Sequence, residues 1–134
     1  MSREIKVYFP GGKRVEAEYK GFIIKTDQPV YAGGGGSAPA PFDLFLTSIA
    51  TCCAVYVLFF CEKRGIPIEK ASLVMKTERN PETKMIDKIS IEINLPREFP
   101  EKYKEAVIRA VNTCSVKAHL QKPPAFETEA KIGK

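Results

Sequence analysis

A chain of 134 residues is long enough to bury a core of its own, and the expectation is a single domain over residues 1–134. Its 28% charged and 44% hydrophobic residues are those of an ordinary globular protein. The net charge of +5 comes from Lys and Arg interleaved with Glu, and no basic run is mixed with stacking aromatics, which argues against a nucleic-acid interface.

Near the N-terminus Ile5, Val7 and Phe9 alternate with Lys6 and Tyr8 and stop at Pro10-Gly11-Gly12, a turn signal. Val15, Ala17 and Tyr19 alternate with Glu16, Glu18 and Lys20 in a second strand. Lys20-Gly21 then turns tightly into a third, Phe22 to Thr26. Together they predict an antiparallel meander with one wet face. No secretory segment is expected ahead of it. The four cysteines therefore suggest a reducing, cytoplasmic compartment, where thiols are reactive groups or core filler before they are disulfides.

Tyr31 to Ser37, with glycine at 33–36, feeds the stretch around which the chain is organised, Leu44 to Cys61. The loop matches a phosphate-binding loop poorly, because no Gly-Lys-Ser/Thr follows. The plainer reading is a backbone that passes close to a neighbouring element. Leu44 to Cys61 carries no charge and is apolar or neutral on every face, which predicts a helix buried all round. Pro39 and Pro41 suit its start and Asp43 its first turn, while Lys63 and Arg64 suit its last turn and Gly65 its stop. Its length approaches a membrane span, yet the rest of the chain is patterned like a soluble domain, so a central core helix is the better reading.

Leu73 to Glu78 and Lys84 to Leu95 follow as two strands joined by a turn at Asn80–Thr83, with Ile89, Ile91, Ile93 and Leu95 on one face. Tyr103, Ala106, Val107, Ala110, Val111 and Cys114 recur at helical spacing. This amphipathic second helix either continues or breaks near Asn112-Thr113-Cys114 before Val116 to Leu120. Pro123-Pro124 ends it, and Phe126 to Ile132 alternates as a last strand. The order βββ-α-ββ-α-β lacks the regular βα alternation of a parallel sheet, so the class is α+β.

Cysteine is among the most buried residue types, and Cys61 is expected to be core filler. No C-x-x-C spacing is present, and adjacent Cys52 and Cys53 diverge by about 100° on a helix, so no metal site is expected. Nor does any motif call for a cofactor. Cys114 and His119 lie one helical turn apart, and the histidine either shares that space or is an ordinary exposed residue.

Ser37 to Cys52, SAPAPFDLFLTSIATC, resembles the core motif of the OsmC/Ohr family, in which a proline, a pair often containing an acidic residue, and a leucine open a buried helix carrying a cysteine. Cys114-Ser115-Val116-Lys117 resembles the family's second cysteine motif. The resemblance implies the OsmC-like fold, with antiparallel sheets around two long central helices in an intertwined homodimer. It also implies a thiol peroxidase acting on organic hydroperoxides with a dithiol as reductant. Counted from Leu44, the attacking cysteine falls on Cys52 and the resolving one on Cys114. Their condensation is the expected disulfide; Cys52 and Cys61 would lie about 13 Å apart along one helix, too far to bridge.

A thiol in mid-helix needs a nearby cation to lower its pKa. The family's arginine from the N-terminal strands falls near Arg14, which reads equally well as a surface charge. Phe42 stands where the best-known branch has glutamate, with Asp43 beside it, as in the less characterised OsmC-like branch. Phe42, Asp43, Phe45 and Tyr56, with Phe59, are the expected substrate-contacting residues and favour a greasy substrate. The alternative is an OsmC-fold protein that binds a small apolar ligand and leaves its cysteines as core.

Overall fold

Alternation near the N-terminus builds a three-stranded antiparallel meander, β1 (Lys6–Gly11), β2 (Arg14–Tyr19) and β3 (Phe22–Thr26), paired in that order. Val7, Ala17 and Ile24 stand in register across it, as do Lys6, Glu18 and Ile23. Successive side chains alternate faces, so one face is apolar and the other carries most of the charge. The β2–β3 link is a two-residue turn in which both Lys20 (φ 52°) and Gly21 (φ 82°) are left-handed, a conformation whose twist suits the adjoining strands. In the computed structural model, which describes residues 3–133, the chain divides into two compact units, Met1–Ser48 and Ile49–Lys134.

After β3 the first unit continues as a glycine-rich loop closed on itself around Asp27. This carboxylate is buried, and it accepts the Gln28 N–H (2.7 Å), the Ser37 N–H (3.1 Å) and the Ser37 hydroxyl (2.6 Å). Those bonds, the Ser37 hydroxyl foremost, hold its pKa down to about 2. Gly34 donates to the Pro29 carbonyl at 3.1 Å and Gly36 to that of Gln28 at 3.0 Å. A Cβ on Gly34 would collide with the Gln28 backbone, so the glycine is there for close approach, as the plainer reading of the loop expects.

The central helix, α1 (Pro41–Lys63), begins and ends where the proline and glycine signals put it. Gly65 is left-handed (φ 65°), and Ile66 N–H returns to the Cys61 carbonyl at 2.9 Å. Within this chain α1 is covered on one side only. One stripe, Ile49, Cys53, Val57, Phe60 and Cys61, is buried, while Val55 (39% exposed) and Phe59 (50%) face outward. Uniform apolarity left the sequence unable to say which side this chain itself covers.

The buried stripe belongs to the core of the second unit. There β4 (Ser72–Arg79) and β5 (Ile86–Asn94) pair antiparallel, with Leu73 opposite Ile93, Met75 opposite Ile91 and Thr77 opposite Ile89. The apolar members of this face pack on Ile49, Val57 and Phe60 together with Val107 and Val111. Each such side chain, fully buried, contributes roughly 1.5–3 kcal/mol. The second helix breaks: α2 (Lys104–Val111) and α3 (Ser115–Gln121) replace one long element. Thr113 and Cys114 turn their N–H groups to the carbonyls of Ala110 and Val111, and Cys114 leaves helical geometry (ψ 144°) to cap α3. Among the described residues there are thus three α-helices, the second of the expected helices having broken rather than continued. Phe126 to Ile132, expected as a last strand, has no strand pairing and is exposed at both Phe126 and Ile132.

Candidate active site

Three of the four thiols gather where α1 passes the α2–α3 junction, all within the second unit. Adjacent positions on α1 point Cys52 and Cys53 in different directions, and the junction answers each differently. Cys53 is fully buried, with its sulfur 3.8 Å from that of Cys114, which is also fully buried. Cys52 is half-buried, with its sulfur 3.8 Å from the Ser115 hydroxyl. Cys114 bears on both neighbours, its hydrogen bonding lowering the Cys52 pKa and raising that of Cys53. It accepts the Lys117 N–H at 3.5 Å as well, which makes it the side-chain cap of α3.

The electrostatics separate the two neighbours. Burial is the largest influence on Cys52 and opposes its ionisation. It is outweighed by the Val116 N–H, the Ser115 hydroxyl, the Cys114 thiol and the Ser115 N–H, which together hold the Cys52 thiol below its ordinary value. Cys53 lacks such donors. Burial first, then its bond to Cys114, push its thiol up to about 11, and only the Lys117 charge works the other way to any extent. Cys52 is therefore the more readily ionised of the two neighbours, and Cys53 the one kept protonated. Cys61 lies in the core, where burial raises it against the pull of Arg64.

The other expected site residues fall into two groups. Tyr56 follows Cys52 by one turn, and its ring lies 6.1 Å from that of Phe59, so Cys52, Tyr56 and Phe59 share one stripe of α1. Arg14, Phe42, Asp43 and Phe45 belong to the first unit. The exposed Arg14 guanidinium is turned to its own hairpin, donating to the Gly11 carbonyl at 3.3 Å and the Pro10 carbonyl at 3.5 Å. Phe42 and Phe45 are exposed, with rings 5.4 Å apart, and Asp43 is exposed in the first turn of α1.

Sequence reasoning missed the donors. Ser115, Val116 and Lys117 stood inside the second motif, but only as spacers after the cysteine; a serine directly after a helix-breaking cysteine was the available signal. His119 is exposed, with Nδ1 2.7 Å from the Ser115 carbonyl on its own helix. Among the described residues no three His, Cys, Asp or Glu side chains gather as a metal site. Ile49, Ile89, Ile91, Lys117, Leu120 and Gln121 line a mainly apolar cleft of about 170 Å³.

Comparison with curated proteins finds no match. Among solved structures, an osmotic stress induced and detoxification response protein from Psychrobacter arcticus 273-4 superposes with a TM-score of 0.72 at 25% identity, covering 88% of this chain and 87% of that one. An OsmC like protein from Mycoplasma pneumoniae gives 0.70 at 18% identity over 92% and 89%. An organic hydroperoxide resistance protein OsmC from Legionella pneumophila gives 0.58 at 19% identity over 90% of each. The last two likenesses, under 25% identical, speak to the fold alone. The OsmC-like protein family model matches residues 34–129, a span from the glycine loop past α3 that takes in all four cysteines, and the chain belongs to that family.

Proposed function

We propose that the protein is a cytoplasmic thiol peroxidase that reduces organic hydroperoxides, with Cys52 as the attacking thiol and Cys114 as the resolving one. The observation that carries this reading is the state of Cys52. It is half-buried, held below its ordinary pKa by donors from the start of α3, and hydrogen-bonded to the thiol of Cys114. The Cys52 thiolate attacks the outer peroxide oxygen, the O–O bond breaks, an alcohol leaves and Cys52 becomes a sulfenic acid. The Cys114 sulfur then attacks the oxidised sulfur. Its thiol proton leaves with the sulfenic hydroxyl as water, and a Cys52–Cys114 disulfide remains for a dithiol to reduce.

Tyr56 and Phe59, which share the stripe of Cys52, support an apolar substrate, and Phe42, Asp43 and Phe45 are proposed as further contacts. Arg14 is proposed as an activating cation only if it gives up its hairpin carbonyls. The exposed apolar side of α1 and the apolar face of the meander support a homodimer in which a second copy covers them. Four free thiols fit a reducing compartment.

The deciding experiment is peroxide consumption with a dithiol as reductant, comparing cumene hydroperoxide with hydrogen peroxide. Faster consumption of the bulky peroxide, lost in Cys52→Ser, is expected. No consumption of either, alongside saturable binding of an apolar fluorophore, would establish the ligand-binding alternative.

A further inference from the structure

The vicinal cysteine has no part in that cycle, yet Cys53 is the residue whose sulfur lies 3.8 Å from that of Cys114, with both side chains fully buried. A sulfur between two thiols can be bridged to either. We propose that Cys53 is a third redox thiol, which takes Cys114 from Cys52 by thiol–disulfide exchange and leaves the bridge in the core as Cys53–Cys114. The proposal rests on the reading of Cys52 as the attacking thiol.

The step balances without any further reagent. The Cys53 sulfur attacks the Cys114 sulfur of the Cys52–Cys114 disulfide, a Cys53–Cys114 bond forms and the Cys52–Cys114 bond breaks. The electron pair leaves on Cys52, and the Cys53 proton passes to solvent. No net oxidation occurs; the disulfide moves by one residue. Leaving-group chemistry gives the direction, because the thiol more stable as an anion leaves faster, and at this junction that is Cys52. Burial of Cys53 sets the order of events: its thiol stays protonated and does not compete for peroxide, and it attacks only once the adjoining disulfide has formed and it has given up its proton, a high-pKa thiolate being the stronger nucleophile. Cys52 is returned as a thiolate on the open stripe of α1, able to meet a second peroxide before any reductant arrives. The second oxidation leaves Cys52 as a sulfenic acid, because Cys114 is already engaged.

The test is a titration of the fully reduced protein with cumene hydroperoxide, with no reductant present and dimedone added at the end. Fragmentation sequencing of the peptide that holds positions 52 and 53 assigns the bridge. Wild type is expected to consume two equivalents and to carry a Cys53–Cys114 bridge with dimedone on Cys52. Cys53→Ala, backed by Cys53→Ser in case one of them packs poorly, is expected to stop at one equivalent with a Cys52–Cys114 bridge and no label. Wild type stopping at one equivalent with the bridge on Cys52, or Cys53→Ala matching wild type, overturns the proposal and leaves the peroxidase reading standing. Diamide oxidation separates the two ideas from the other side. A Cys53–Cys114 bridge made by diamide in a protein inert to peroxide keeps the buried bridge and overturns the peroxidase reading.

Discussion

The loop around Asp27 and the junction around Cys52 use the same device to opposite ends. Each aims backbone N–H groups and one serine hydroxyl, Ser37 or Ser115, at a side chain able to carry negative charge. At Asp27 the acceptor is a carboxylic acid, enclosed, with each donor stabilising an anion that already exists at neutral pH, so the result is a fixed loop. At Cys52 the acceptor is a weak acid on a half-open stripe, so the same donors favour ionisation of a thiol that a reagent can reach. Hydrogen-bond donors alone do not make a reactive group. What decides is whether the acceptor's ordinary pKa lies near working pH and whether a face is left for a reagent.

The comparison breaks most visibly at Cys52→Ser, which removes the ionisable acceptor. Peroxide consumption should fall to the level of a protein with no reactive thiol, measured by loss of cumene hydroperoxide. Gly34→Ala attacks the other region through the backbone of Gln28, whose N–H donates to Asp27. Its Cβ meets the Gln28 backbone, which cannot move aside cheaply, and the expected loss is roughly 1–3 kcal/mol in a denaturant titration.

Ser115→Ala sharpens the contrast, because it removes one donor of several. One hydrogen bond to a charged acceptor is worth about 1.5 kcal/mol or somewhat more, so the Cys52 pKa should rise and the rate at neutral pH should drop by roughly tenfold. The readout is the pH profile of alkylation, shifted upward.

Asp27 gives the corresponding test by pH. Its folded pKa, about 2, lies below the ordinary carboxylate value of 3.8. Its contribution to stability is therefore fully present above about pH 4 and is lost as pH falls through about 2. Asp27→Asn should flatten that part of the acid-unfolding curve while leaving the Cys52 alkylation profile in place. Smallest of all is Cys61→Ala, which should leave peroxide consumption nearly unchanged at a stability cost of about 1 kcal/mol, since Cys61 fills core space away from the gathered thiols.

Much of this was legible in the sequence wherever one face of an element is wet. The alternation of Ile89, Ile91 and Ile93 gave both the strand and its core side, and Lys20-Gly21 gave the turn, because period and left-handed backbone are local properties. Leu44 to Cys61 was legible as a helix but not in its orientation, since a segment apolar all round has no period to read. The break at Asn112–Cys114 stayed open because no glycine or proline marks it; a cysteine capping its own helix does that work. At the site, the two motifs located Cys52 and Cys114. Which of two adjacent thiols lies against Cys114 depends on packing across the core, and no spacing within one helix contains it. Phe126 to Ile132 has the alternation of a strand, but alternation specifies a face and supplies no partner for the backbone.

The cap on α3 has a consequence for observing the protein at work. Cys114 accepts the Lys117 N–H at 3.5 Å, so the first turn of this seven-residue helix is tied to the oxidation state of one sulfur. A bridged sulfur is reoriented by its new bond, which takes its lone pairs away from the Lys117 amide. Whichever partner Cys114 takes, the Lys117 amide should lose protection from deuterium when the bridge forms and regain it on reduction. A helix too short to hold itself together would then report the thiol chemistry, residue by residue, as a change in amide exchange.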